Sequence, residues 1–152
     1  MKFGRNKDAQ NSLGAMYSKG EGVEENFIKA LKWFLIAGKN GSEELYVWGT
    51  GKQMRDFIHI EDCIKGILKT VDQVNDGQAI NLSTGQYTSF IEFASLAANV
   101  VGYRPEVFGM SDKPSGVFAR GGDTKLQESL GFKHQIDFKT GVEKAIEYYI
   151  KN

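Results

Sequence analysis

The chain has 152 residues, enough for one domain with a sizeable core, and its 19 basic and 19 acidic residues balance to a formal net charge of zero. That balance excludes a nucleic-acid protein built on a strongly basic surface. A single cysteine, Cys63, excludes an internal disulfide, two histidines leave no metal cluster, and no apolar run approaches the roughly 18 residues of a membrane span; with no secretory signal at the start, a cytoplasmic protein is the default expectation.

Residues 9–41 read as two helices around a glycine turn. Ala9, Leu13, Met16 and Tyr17 share one face at helical spacing. Gly20 and Gly22 flank a turn that needs positive φ. Asn26 is a good N-cap for a second helix running to Gly38, with Phe27, Ala30, Leu31, Phe34 and Leu35 as its apolar stripe and Trp33 at the margin. Gly14, Ala30 and Ala37 are small enough to let the two helices approach closely.

From Glu44 the period changes. Leu45 to Trp48 reads as a strand ended by Gly49 and Gly51. Phe57, Ile58 and Ile60 read as a second strand. A helix follows, with Glu61 and Asp62 in its first turn and Ile60, Ile64, Ile67, Leu68 and Val71 as its stripe. After the turn at Asn75-Asp76-Gly77, Ala79 to Leu82 reads as a third strand. Ser89 and Glu92 form a capping box opening a helix to about Val101, with Phe90, Phe93, Ala94 and Ala97 on one side and Gly102 as its stop. Glu106 to Phe108 is a fourth strand. Asp123 caps a short helix ending at Gly131. Thr140 and Glu143 offer another capping box for a last helix carrying Val142, Ile146, Tyr149 and Ile150. The class is α/β or α+β, with short strands alternating with helices, and the third strand with its following helix suits half of a parallel crossover unit.

Three stretches suit chemistry. In "WGTGKQMRDF" a glycine turn puts Lys52 and Arg55 near a strand edge, and an arginine fork suits a phosphate. In "SDKPSGVFARGGD" Lys113 and Arg120 lie in a glycine-containing loop that suits an anion. In "NLSTGQYTS" a polar loop joins a strand to a helix N-terminus, where backbone N–H groups suit an anion. Taken singly, the first two are more usually solvated charges, and the third serves equally as a simple cap.

Taken together they carry a resemblance. Residues 44–152, through "VWGTGKQMRDFIHIEDCIKGI", "INLSTGQYTSFIEFASLAANVVGY", "DKPSGVFARGGDTKLQESLGF" and "DFKTGVEKAIEYY", resemble the C-terminal, substrate-binding part of the extended short-chain dehydrogenase/reductases. Within these the segment is similar to the NAD-dependent sugar-nucleotide epimerase/dehydratase family, closest in flavour to GDP-fucose synthase and GDP-mannose 3,5-epimerase. The resemblance implies that Arg55 and Arg120 contact the diphosphate of a nucleotide sugar. It implies, less directly, that Trp48 and Lys52 line the same pocket. Asp123, Asp62 and His59 are read as structural. Residues 9–41, through Leu13-Gly14, Met16-Tyr17, Gly20, Gly22-Val23, Lys29-Ala30, Trp33, Ala37 and Gly41, resemble one Sel-one-like repeat of the tetratricopeptide-like superfamily. Gly38 departs from that pattern, where alanine usually recurs. The expected division is a helical repeat at 1–41 and an epimerase-type substrate-binding domain at 42–152.

The family's enzymes also need a glycine-rich turn between a strand and a helix for NAD, and a Tyr-x-x-x-Lys pair. Gly49-x-Gly51 has no third glycine and no helical run after it. None of Tyr17, Tyr46, Tyr87, Tyr103, Tyr148 and Tyr149 has a lysine four residues on. The expectation is a fusion or truncation: a non-catalytic nucleotide-sugar-binding fragment with no catalytic residues, no metal and no cofactor, taking NAD only if another chain supplies the missing domain. Other readings are a protein-interaction module working through the repeat, a remnant without selected activity, and half of a two-chain epimerase. A fragment of this kind exposes an apolar face, to be covered by the repeat helices or by a homodimer. Neither a nucleic acid nor a membrane is expected as a partner.

Overall fold

A computed structural model describes residues 6–41, 43–74 and 76–151, with residues 18, 27, 28 and 31 described by backbone alone. Helix α1 (Lys7–Lys19) and helix α2 (Phe27–Lys39) form the expected antiparallel hairpin. Asn6 caps α1 by accepting from the Asp8 and Ala9 N–H groups, and Asn26 caps α2 by accepting from Lys29 N at 2.9 Å. Gly20, at φ +68°, ends α1 in the left-handed conformation that favours glycine. The Phe34 ring lies over Gly14, where an added Cβ would come within 2.8 Å of it. Ala30 and Ala37 are buried in the hairpin. The side chains of Phe27 and Leu31 lie outside the described residues.

Strand β1 (Glu44–Trp48) pairs in parallel with β4 (Glu106–Met110), Glu44 opposite Glu106. Helices α3 (Ile60–Thr70) and α4 (Phe90–Val100) lie between them in sequence. A second, three-stranded sheet has the order β3-β2-β5. Its central strand β2 (Met54–Arg55) runs antiparallel to β3 (Thr88–Ser89) and parallel to β5 (Ala119–Arg120). Helices α5 (Lys125–Ser129) and α6 (Phe138–Lys151) close the chain. Phe57 stacks on Phe93 at 5.1 Å and on Phe138 at 5.3 Å, with the edge of Phe90 at 6.4 Å, so an aromatic cluster joins α4 to α6.

Tyr103 docks the hairpin. Its ring lies against Gly38, where an added Cβ would sit 2.2 Å from a ring carbon. Its hydroxyl donates to the Glu44 carbonyl at 3.2 Å. The departure at position 38 therefore has a local reason: only glycine leaves room for the tyrosine. Lys7 adds a hydrogen bond from its Nζ to the Gly41 carbonyl.

Four expectations need correction. Phe57 and Ile58 are extended but belong to no ladder, and Ile60 is the first residue of α3. His59 caps that helix, its Nδ1 accepting from Glu61 N at 3.2 Å. Residues 79–82 likewise follow an extended course without a ladder; the strand of that region is Thr88–Ser89. Both segments have strand composition, and neither meets a partner strand among the described residues. Helix α6 begins at Phe138, capped by Asp137, which accepts from Thr140 N and from the Thr140 hydroxyl. The N-cap of α5 is Thr124, which makes no side-chain capping bond, and the expected cap Asp123 stands one residue earlier, accepting from Lys125 N at 2.8 Å.

Helix α3 carries an apolar face of the kind expected of such a fragment. Its stripe of Ile60, Ile64, Ile67, Leu68 and Val71 points outward, each side chain at least 50% exposed. The buried face is Asp62, Gly66 and Thr70. Asp62 Oδ2 accepts from the Gln135 and Ile136 N–H groups at 2.8 and 2.7 Å, and Lys65 lies 3.9 Å from the other oxygen. Burial pushes the Asp62 carboxyl up, but these two N–H donors and Lys65 outweigh it and hold it below its ordinary value. At Gly66 an added Cβ would meet Leu82 at 2.8 Å and Phe132 at 3.0 Å. These contacts fix the rotation of α3 and leave its apolar stripe to solvent. The hairpin does not cover that stripe: Phe34 is spent inside the hairpin, and of the α2 stripe Leu35 reaches an apolar groove lined by Phe57, Phe93 and Phe138.

Candidate functional site

The site is built around β2. Gly49 and Gly51, at φ +69° and +71°, reverse the chain after β1. An added Cβ on Gly49 would fall 2.1 Å from Gln53 Nε2 and against Ser115, so glycine lets three segments meet here. Gln53 is buried and donates from Nε2 to the Trp48 carbonyl at 3.3 Å and to the Ser115 carbonyl at 3.0 Å. It thereby clips the end of β1 to the loop that leads into β5. The next residues enter the ladder: Met54 N donates to Phe118 O at 2.7 Å and Asp56 N to Arg120 O at 3.1 Å.

This ladder places Arg55 directly beside Arg120, as partners in the parallel pairing of β2 with β5. Neighbouring strands lie about 5 Å apart and paired residues emerge on the same face, so the two side chains leave the ladder on one side of the sheet. Arg55 is anchored: its Nη1 donates to the Met54 carbonyl at 2.7 Å and the Val117 carbonyl at 3.0 Å, and the guanidinium carbon lies 5.4 Å from the centre of the Phe90 ring. Arg120 is exposed, and no hydrogen bond or ion pair among the described residues engages its guanidinium. All seven ion pairs among the described residues are made by lysines, so neither arginine has a carboxylate counter-ion there.

Asp56, which sequence reasoning missed, holds this surface in place. One oxygen accepts from Thr84 N at 2.9 Å and the Thr84 hydroxyl at 2.7 Å; the other accepts from the Ser83 hydroxyl at 2.5 Å and Gly85 N at 2.7 Å. Burial pushes its carboxyl up, but the Ser83 and Thr84 hydroxyls and the Thr84 and Gly85 N–H groups outweigh it and keep it below its ordinary value of 3.8. The expectation that the Ser83–Gly85 loop offers its N–H groups to an external anion is therefore corrected: the chain's own carboxylate takes them. The α4 N-terminus is filled in the same way, with Glu92 accepting from Ser89 N at 2.7 Å in the expected capping box.

A second network carries the position on to Arg120. Gln127, buried, accepts from Ser83 N and donates to Ser83 O, both at 2.8 Å. Gly122 N donates to Ser83 Oγ at 3.1 Å. Gly121 and Gly122 permit the approach: an added Cβ would strike the Tyr87 hydroxyl at 2.7 Å and Asn81 Cβ at 2.7 Å, respectively. Tyr87, Val117 and Phe118 are exposed aromatic and apolar side chains on the segments beside the arginines. Trp48, 46% exposed, ends β1, and Lys52 is exposed in the turn that Gln53 anchors. Lys113 is paired with Asp112 at 3.1 Å. Of the sequence-predicted residues, the structure thus brings Arg55 and Arg120 together and ties Trp48 and Lys52 to the same turn, while Lys113 is neutralised by its neighbour.

Among the described residues no three His, Cys, Asp or Glu side chains cluster as metal ligands. No described helix is long and apolar enough to cross a membrane. The Gly49–Gly51 turn does not fit a dinucleotide, because Gln53 and Ser115 fill its concave side and a strand, not a helix, follows it.

Residues 10–83 match the NAD dependent epimerase/dehydratase family, a match that crosses the expected 41/42 boundary. The chain is 30% identical over 122 residues to GDP-L-fucose synthase 1 of Arabidopsis thaliana, covering 80% of this chain and 38% of that protein. Among solved structures it is similar to a GDP-6-OMe-4-keto-L-xylo-heptose reductase from C. jejuni, with TM-score 0.64 and 26% identity over 97% of this chain and 46% of that one. It shares its fold with the UDP-glucose 4-epimerase of Thermotoga maritima, with TM-score 0.68 and 20% identity over 83% of this chain and 40% of that one. The chain is thus similar to epimerase/dehydratase-family proteins over part of its length, and spans less than half the length of the relatives it matches.

Proposed function

We propose, from this similarity, that the chain binds the diphosphate of a nucleotide sugar through Arg55 and Arg120 and does not transfer hydride by itself. One observation carries the reading. Two arginines without carboxylate partners are held side by side by a ladder only two residues long. Like charges at paired positions repel, and the chain supports that cost with the Asp56, Ser83 and Gln127 network. A dianionic diphosphate relieves the repulsion, and planar guanidinium groups suit its oxygens. Tyr87, Phe118 and Trp48 offer flat apolar surface for the rest of a nucleotide.

The side chains at hand support the reading that the chain does not transfer hydride. No tyrosine has the lysine four residues on that would lower its pKa, and neither glycine turn leads from a strand into a helix. Residues 1–41 act by packing: Tyr103 closes on Gly38, which supports a structural role for the hairpin over capture of a foreign partner. The family match from residue 10 supports counting much of this hairpin with the epimerase-type unit rather than as a separate repeat.

The test is a calorimetric titration with GDP, UDP, GDP-mannose and NAD. Saturable binding of a nucleoside diphosphate, without NAD, is the expected result. Binding of NAD alone, or of none of the four at millimolar concentration, overturns the proposal.

A further inference from the structure

We infer that Thr88 is a third donor to the diphosphate, set on the far side of Arg55 from Arg120. The inference rests on the reading that the two arginines hold a nucleoside diphosphate. Strand β2 is the middle strand of its sheet, so Arg55 has a paired neighbour on each side. The parallel pairing sets Arg120 opposite it, and the antiparallel pairing sets Thr88 opposite it. Paired residues leave a sheet on the same face, so Thr88, Arg55 and Arg120 form one row across three strands. The next row, Ser89, Met54 and Ala119, leaves on the other face. At about 4.8 Å between neighbouring strands, the row of three is about 10 Å long.

The hydroxyls of this stretch differ in what they do. Thr84 gives its hydroxyl to Asp56 at 2.7 Å, and Ser89 donates to Glu92 at 2.8 Å. Thr88 is half-buried, and among the described residues its hydroxyl makes no hydrogen bond. A hydroxyl partly out of water and without a partner gains from a ligand acceptor. Arg55 gains from it as well. Two main-chain carbonyls already take its Nη1, so a phosphate on Arg55 has fewer guanidinium donors to draw on. The lack of charge at position 88 matters equally. A carboxylate opposite Arg55 would pair with it and compete with an anionic ligand, and a third cation would add to the repulsion. Threonine donates and does neither. The row also separates one phosphate from two. A single phosphate settles in the gap between Arg55 and Arg120, where both neighbours are cations. A diphosphate fills that gap with one end and reaches the gap between Arg55 and Thr88 with the other.

Calorimetric titration of GDP and of GMP into the full chain and three variants tests this. Thr88→Val keeps the β-branched shape that suits a strand and deletes only the hydroxyl. It should weaken GDP about tenfold and GMP less than about twofold. Thr88→Ser, which keeps a hydroxyl, should bind GDP within about threefold of the native chain. A misplaced Arg55 would cost both ligands alike, so the GDP–GMP contrast separates contact from support. Arg55→Ala reports on the underlying reading and should weaken both ligands. Equal losses of GDP and GMP in Thr88→Val, an unchanged GDP affinity there while Arg55→Ala weakens binding, or a serine variant no better than the valine one overturns the role of Thr88 alone. If the native chain binds neither ligand, or Arg55→Ala leaves binding unchanged, the reading of the arginines fails and this inference falls with it.

Discussion

Replacing Asp56 by alanine removes one carboxylate that four donors share. The hydrogen bonds are 2.5 to 2.9 Å long and come from the Ser83 hydroxyl, the Thr84 hydroxyl and the N–H groups of Thr84 and Gly85. A hydrogen bond to a charged group contributes about 1.5–3 kcal/mol net. Gly85 is exposed, so water replaces its acceptor in the variant, and Asp56 itself is only partly buried. Crediting the two inner donors and discounting for solvent gives a loss of about 2–3 kcal/mol, or about 5–10 °C in Tm for a chain of this size. The pH dependence has a definite sign. The folded carboxyl lies below its ordinary value of 3.8, so its contribution is complete above that pH and is lost as pH falls through the lower folded value. Thermal melts of the native chain and Asp56→Ala should therefore differ by a constant amount from pH 7 to about 5 and converge below about 4. A difference under about 0.5 kcal/mol at pH 7, or one that persists unchanged at pH 3, would refute the reasoning.

Asp62→Ala removes the buried carboxylate that accepts from the Gln135 and Ile136 N–H groups, and should cost about 2–3 kcal/mol by urea denaturation, again shrinking on acidification because the folded carboxyl is held low. Gly38→Ala drives a methyl group into the Tyr103 ring; the expected cost is about 1–3 kcal/mol, with faster amide exchange in α2 than in α4. Lys113→Ala should change nucleotide affinity less than about threefold, since Asp112 already neutralises that lysine.

Much of the fold is legible locally. Asn26, the Ser89–Glu92 box and the positive-φ glycines at 20, 49, 51 and 102 all act where short-range pattern puts them. What pattern alone does not supply is pairing. Phe57–Ile58 and Ala79–Leu82 have the composition of strands, yet a strand exists only where a neighbour completes its ladder. The α3 stripe obeys helical periodicity, but periodicity says which residues share a face, not whether that face is covered. Arg55 and Arg120 were candidates singly; their adjacency depends on a register across 64 intervening positions that no local signal encodes. Asp56 was overlooked for the same reason. An acid following an arginine in a turn looks solvated, and its partners lie 27 to 29 residues away.

The central claim is that Arg55 and Arg120 share one anion. The most direct test is a double-mutant cycle on GDP binding, with Arg55→Ala, Arg120→Ala and the pair, each titrated at low and high salt. A shared diphosphate predicts that the two effects are coupled by at least about 1 kcal/mol and that the salt dependence of binding falls in every variant. Strictly additive losses, or affinity unchanged by the double substitution, would contradict it.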